Sequence, residues 1–197
     1  MFRSTCALCA AALALLSGAG ASAAGYRLAP ADASVNFIST KAGTVAEVHR
    51  FANVTGRLGE EGGVRLVIDL ASVDTAIEVR NGRMRDMLFE IGRFPEAIIR
   101  ADIDPALWHD LAPGERNSIE VPGSLALHGE EGKIRLVVDV VGAADGGLIV
   151  TSRLPVIVNA GQFTLAEGVE RLRAVAGLPS ISPAVPVTFA LHFRPQE

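Results

Sequence analysis

The chain has 197 residues, 49% hydrophobic and 20% charged, with 18 Lys and Arg against 22 Asp and Glu and a formal net charge of -4. This acidic balance excludes the basic patch by which nucleic-acid binding shows itself. Both cysteines, Cys6 and Cys9, lie among the first ten residues, so the remainder has no thiol to oxidise or to ligate metal.

Residues 1–24 begin with one positive charge, Arg3, continue through an apolar run from Cys6 to Leu16, and end in the small residues "GASAAG". That layout predicts a cleavable secretory signal, which directs the mature chain, residues 25–197, to the periplasm or the exterior. The run is too short to span a membrane, and no later stretch reaches the roughly 18 uninterrupted apolar residues a span needs. Without Arg3 the mature chain carries 17 basic and 22 acidic residues. About 173 residues suit one domain with a sizeable core.

From there the chain reads mainly as strands. Runs at 33–40, 45–49, 54–58, 97–103, 118–128, 133–141 and 148–159 fit strand period, as do two clear alternations. In "VRLVIDL", Val64, Leu66, Ile68 and Leu70 oppose Arg65, Val67 and Asp69, while in "VTFALHF", Val187, Phe189, Leu191 and Phe193 oppose Thr188, Ala190 and His192. Turn chemistry separates several runs: "GEEGG" at 59–63, "HGEEGK" at 128–133 and "GAADGG" at 142–147. Strands of this number and spacing predict an antiparallel barrel or sandwich.

Two stretches break the period. In "VDTAIEVRNGRMRDMLFE", 73–90, Thr75 and Glu78 fit a capping box, and Ile77, Met84, Leu88 and Ile91 recur at helical spacing before Gly92 and Pro95. In "NAGQFTLAEGVERLRAVAGLP", 159–179, Leu165, Val169, Leu172 and Ala176 form one stripe, with Gly177 and Pro179 as the stop. Two amphipathic helices in an all-β chain suit the open end of a barrel.

"SVDTAIEVRNGRMRDMLFEIGRFPEAIIRADI" followed by "GSLALHGEEGKIRLVVDV" resembles the two signature blocks of the YceI-like proteins. In these a Ser-Val-Asp-Thr opening leads to a charged Arg-Asp helical segment, Phe-Pro and a strand, and later to a Leu-Thr-Leu-His-Gly hairpin. The resemblance runs from about Tyr26 to Arg194. It implies an extended, antiparallel, eight-stranded, lipocalin-like barrel holding a polyisoprenoid chain, commonly in the periplasm. Two departures stand out. Residues 152–183 replace the usual Lys-Arg-Ser-Asp-Phe-Gly block with a longer helix, and Arg85-Asp86-Met87-Leu88 lacks the histidine of the common Arg-Asp-x-His-Leu core.

A barrel of about eight strands is wide enough inside to be filled by side chains or to hold one small ligand. The inward strand phase and the helix stripes nominate Phe37, Leu66, Ile68, Leu88, Phe94, Leu127, Val138, Phe163, Leu165, Phe189 and Phe193 as lining for an isoprenoid lipid or quinone, with simple core packing as the alternative for each. Arg80, Arg83 and Arg85 are head-group candidates, because guanidinium forks suit a phosphate or a quinone carbonyl. Acid–base pairs on solvated helix faces are common and contribute little, and that reading carries more weight for this cluster. Asp74 stands apart as an acceptor of backbone N–H groups that ties the loop down.

Nothing marks an enzyme. His49, His109, His128 and His192 are scattered without metal-ligand spacing, and no nucleophile elbow, P-loop or dinucleotide fingerprint occurs. No catalytic residue, metal or cofactor is expected beyond the bound lipid itself. Two other readings stay open: an enzyme acting on a prenyl lipid through Asp86 or His109, and a ligand-free interaction or stress protein with a solid barrel. An exposed strand edge offers a place for a second copy to pair, and a membrane enzyme receiving the lipid is a further open partner.

Overall fold

Eight antiparallel segments close into a ring in the computed structural model, which describes residues 25–196. The leader expectation at 1–24 lies outside the described residues. In chain order the strands are β1 (Gly25–Leu28), β2 (Ser34–Lys41), β3 (Val45–Phe51), β4 (Val54–Gly59), β5 (Gly63–Asp69), β6 (Val73–Asp74), β7 (Glu96–Asp102), β8 (Arg116–Leu127), β9 (Glu130–Gly142), β10 (Leu148–Ser152), β11 (Val156–Asn159) and β12 (Ala184–Pro195). β1 and β2 act as one interrupted segment, as do β3 with β4 and β10 with β11. Each segment pairs with its successor, and β12 returns to both β1 and β2, with Tyr26 opposite Pro195 and Phe37 opposite Val187. Such a meander hides strand edges by closure.

The predicted strands all form, with one division. The run 148–159 splits at Arg153–Pro155: β10 pairs β9 and β12, whereas β11 pairs β12 alone. Pro155 has no N–H for a ladder. The break leaves a seam in the wall, because the first half of β9 bonds only β8 on its other side. A 3-10 turn, Ala160–Phe163, fills it, and Phe163, 1% exposed, lies against Gly132, where a Cβ would sit 2.9 Å from the ring.

Two helices follow the predicted stretches with different beginnings. The first, α1 (Glu78–Arg83), has Ile77 at its N-cap with no side-chain cap, so the expected capping box does not form. Thr75 is instead buried, and Asn81 Oδ1 accepts from its backbone N at 2.9 Å and its hydroxyl at 2.6 Å. That pair fastens the entry loop to the second turn of α1. The helix then widens to a π turn over Met84–Leu88, where Phe89 N bonds Met84 O at 2.9 Å. Asp74 Oδ1 accepts from Ala76 N at 2.9 Å, as expected of it. The second helix, α2 (Ala166–Val175), keeps Leu165, Val169 and Leu172 on its inner side but leaves Ala176 exposed, and Gly177 ends the turn at φ +63°.

Topology sorts the connections between the two barrel ends. The β2–β3 and β8–β9 hairpins and both helical segments lie at one end; the termini and the β4–β5, β7–β8 and β9–β10 loops lie at the other. At the loop end Trp108, 2% exposed, packs with Tyr26 at 5.7 Å, edge to face, and Leu28, Val138, Val140, Leu148 and Phe193 are buried in the same core without lining the cavity described below. At the helix end the two lids meet each other. Gly168 permits the approach, since a Cβ there would lie 2.9 Å from Met87 O. Arg171 clamps the contact, donating to Met87 O at 2.7 Å and Glu90 Oε1 at 3.1 Å.

Candidate functional site: an apolar cavity under two helices

Below the lids lies a cavity of about 150 Å³, and each of its 25 lining residues is apolar. The inward phase of β2 and β3 supplies Val35, Phe37 and Phe51, that of β5 supplies Leu66 and Ile68, and β12 supplies Val185, Val187, Phe189 and Leu191. Met84, Leu88 and Phe89 from the π turn, with Leu165 and Val169 at the start of α2, form the roof. An apolar cavity of this size stays dry and accepts a benzene-sized guest.

Of the residues nominated from sequence, Phe37, Leu66, Ile68, Leu88, Leu127, Leu165 and Phe189 line this space. Four do not. Val138 and Phe193 have the inward phase but sit in the packed loop end, each 3% exposed. Phe163 seals the seam. Phe94 lies outside, its ring 4.5 Å from that of His128 and its face covered by the Arg93 guanidinium at 4.9 Å. Strand period reports which face a residue is on, not its height along the barrel. Phe51, Phe89 and Val187 were not nominated. Val187 carried a usable signal in its alternation, whereas the extra residue of the π turn brings Phe89 inward against ordinary helical spacing.

The three arginines part company. Arg80 turns toward β3, bonding Glu47 Oε2 at 2.8 Å and Thr75 O at 2.6 Å. Arg85 pairs with Glu78, and Arg83 is exposed with no ion pair among the described residues. Glu47 also meets Lys41 Nζ at 2.8 Å. The Lys41 hydrogen bond and the Arg80 charge hold the Glu47 carboxyl below its usual range. Beside them His49 is 5% exposed, its ring 5.1 Å from that of Phe37 and its Nε2 2.9 Å from Ser39 Oγ. Burial, and then the positive charge of Arg80, push the imidazole pKa down, so the ring is neutral at pH 7.

A second, polar cleft opens outside the roof. It is lined by Glu90, Arg93, Phe94, His128, Gly129, Glu130, Thr164, Glu167 and Arg171. His128 Nδ1 lies 2.9 Å from Thr164 Oγ1, joining the β8–β9 hairpin to the start of α2. His109 and Asp110 form an exposed pair at 3.1 Å, and neither they nor the exposed Asp86 line the cavity. No helix among the described residues is long and apolar enough to cross a membrane.

A closed up-and-down barrel with an apolar cavity under a helical roof defines the lipocalin-like barrel architecture. The family model for the YceI-like domain matches residues 26–193, and the chain belongs to the YceI-like family. A polyisoprenoid binding domain from Saccharophagus degradans, implicated in plant cell wall breakdown, is 38% identical, with a TM-score of 0.83 over 86% of this chain and 97% of that one. BcnA from Burkholderia cenocepacia is 18% identical and shares the fold, with a TM-score of 0.63 over 84% of this chain and 98% of its own. No curated protein matches the chain.

Proposed function

We propose that the protein binds an isoprenoid lipid, a polyprenyl chain or a quinone, in the barrel interior, and carries or sequesters it in the periplasm. The carrying observation is the cavity: 25 apolar residues line open space, whereas the loop end of the same barrel is filled with buried side chains. The likeness to a polyisoprenoid binding domain at 38% identity supports the choice of guest, and the predicted leader supports the compartment. Each buried methylene of the guest contributes about 0.8 kcal/mol before ordering costs. The space takes about one ring or isoprene unit with the lids as they stand. Further units displace side chains of the roof or the seam, where Phe163 and Leu165 meet β9 and the π turn.

The test is mass spectrometry of an organic extract of protein purified from its native host. An intact prenyl lipid in stoichiometric amount is the expected result. Repeated recovery of lipid-free protein that also refuses prenyl lipid in solution refutes the reading.

A further inference from the structure

We propose that the guest enters and leaves between the two lids, through a gate whose outer side is the polar cleft and whose latch is the bond from Arg171 to Glu90. This rests on the lipid-binding reading above and adds the route into the cavity.

The cleft and the cavity stand back to back. Glu90, His128 and Thr164 line the cleft, and a chain neighbour of each, Phe89, Leu127 and Leu165, lines the cavity. Three elements meet there: the end of the first lid, the β8–β9 hairpin and the start of the second lid. One layer of residues therefore separates the hollow from solvent. The other ways in are better closed. At the loop end the plug with Trp108 blocks the barrel. At the seam Phe163 is packed against Gly132, and its turn is fixed by Ala160 N donating to Pro183 O at 2.8 Å.

Little joins the three elements. Among the described residues no backbone hydrogen bond runs between the lids, or from either lid to the β8–β9 hairpin. Arg171 supplies the polar bonds between the lids, to Met87 O at 2.7 Å and Glu90 Oε1 at 3.1 Å, and the hairpin is held by His128 Nδ1 against Thr164 Oγ1 at 2.9 Å. His128 Nε2 is buried without a partner, 4.0 Å from Glu90 Oε2, so even the closed junction is incompletely bonded. The far ends of the lids are tied down instead. Asn81 fastens the first to Thr75, and the segment after the second is bonded to the β2–β3 hairpin, Ala42 N to Ser180 O at 3.0 Å and Ser182 N to Thr40 O at 2.8 Å. Lids fastened at their far ends and latched where they meet part at the meeting point.

Both lids also turn strained corners at this junction. Glu90 ends the first and Thr164 leads into the second, at φ of 49° and 54°. Glycine is the ordinary choice for such a corner, and a β-branched residue there is an outlier. Conformations of this kind persist where surrounding contacts hold them, and they collect at switch regions. Arg171 bonds Glu90 and His128 bonds Thr164, so the contacts that hold the corners are those the gate breaks. The same bonds surround an empty or a filled cavity, so losing them changes how fast the guest passes and not how tightly it is held.

The experiment follows uptake and release of geraniol esterified with fluorescent anthranilate by stopped flow, with circular dichroism to check that each variant is folded. Residues 25–197 contain no cysteine, so Glu90→Cys with Arg171→Cys can be joined by a short bismaleimide. The control joins Glu47→Cys to Arg80→Cys, which replaces the 2.8 Å ion pair between the far part of the first lid and β3. Linking 90 to 171 is expected to abolish uptake and release on the time scale of the unlinked double variant, and the control link leaves both rates as they were. Two further variants loosen the gate. Arg171→Met removes the latch, and Gly168→Ala, favoured over glycine inside a helix, sets a Cβ 2.9 Å from Met87 O and wedges the lids apart. Each should speed uptake and release together by about tenfold, the order of one hydrogen bond to a charged group, with Kd unchanged. Rates untouched by the 90–171 link, equal slowing by the control link, or loosened variants whose Kd shifts while their rates do not overturn the gate and leave the lipid reading standing. Failure of wild type to take up the probe at all overturns both.

Discussion

The two ends of the barrel are made from the same strands with the same alternation, yet one is solid and the other hollow. At the loop end, Trp108 on the β7–β8 connection is buried and its ring closes edge to face on Tyr26 as a plug, in the end of the barrel where Val138 and Phe193 are also buried. At the helix end, the roof residues sit on lids that brace one another through Gly168 and Arg171, so they span the opening instead of dropping into it. The difference teaches that inward phase makes a residue interior but does not decide whether the interior is occupied. The connections decide that.

The comparison breaks most readily at Trp108. Trp108→Ala removes the plug and should cost about 3–5 kcal/mol, a Tm drop of roughly 6–20 °C for a domain of this size, read by thermal denaturation. A matched pair on one strand sharpens it. Ala97 and Ala101 are both buried on the inner side of β7, but only Ala97 lines the cavity. Ala101→Leu overpacks the solid region and should cost about 1–3 kcal/mol in urea denaturation. Ala97→Leu grows into space, should leave the urea midpoint close to wild type, and should weaken uptake of a prenyl lipid. Equal destabilisation by both would mean the helix end is not hollow.

A smaller effect concerns acidity. His49 takes up its proton near the ordinary 6.5 when unfolded, but only at lower pH when folded. Between those values the unfolded chain binds more protons, so stability is level above about pH 6.5 and declines as pH falls through the window. His49→Phe should remove that part of the decline, leaving the steeper loss below about pH 4.5, where Glu47 and other carboxylates with lowered pKa values become protonated. Denaturation midpoints across pH 4–8 check this. The smallest effect is expected at Arg83: Arg83→Ala should change stability by less than about 0.5 kcal/mol and leave lipid uptake as it was.

Much of the barrel was legible in the sequence because a period of two writes itself into side-chain polarity; Leu66 and Ile68 on β5 and Phe189 on β12 needed no tertiary information to be placed inward. What stayed hidden was set by long-range contacts. Val138 and Phe37 read alike, and only the fold puts one in the plug and the other in the cavity wall. The capping box at Thr75 failed because Asn81, six residues on, offers that threonine a buried partner. The three arginines stood together as head-group candidates, but only Arg80 finds a carboxylate, Glu47, on the neighbouring strand.

The void at the helix end also has a mechanical meaning. Hydrostatic pressure favours whichever state occupies less volume, and unfolding lets water into space that the folded chain leaves unfilled. A barrel with a dry hollow of about 150 Å³ is therefore a compressible object. A guest filling that hollow would stiffen it, so resistance to pressure reports occupancy without any need to see the guest itself.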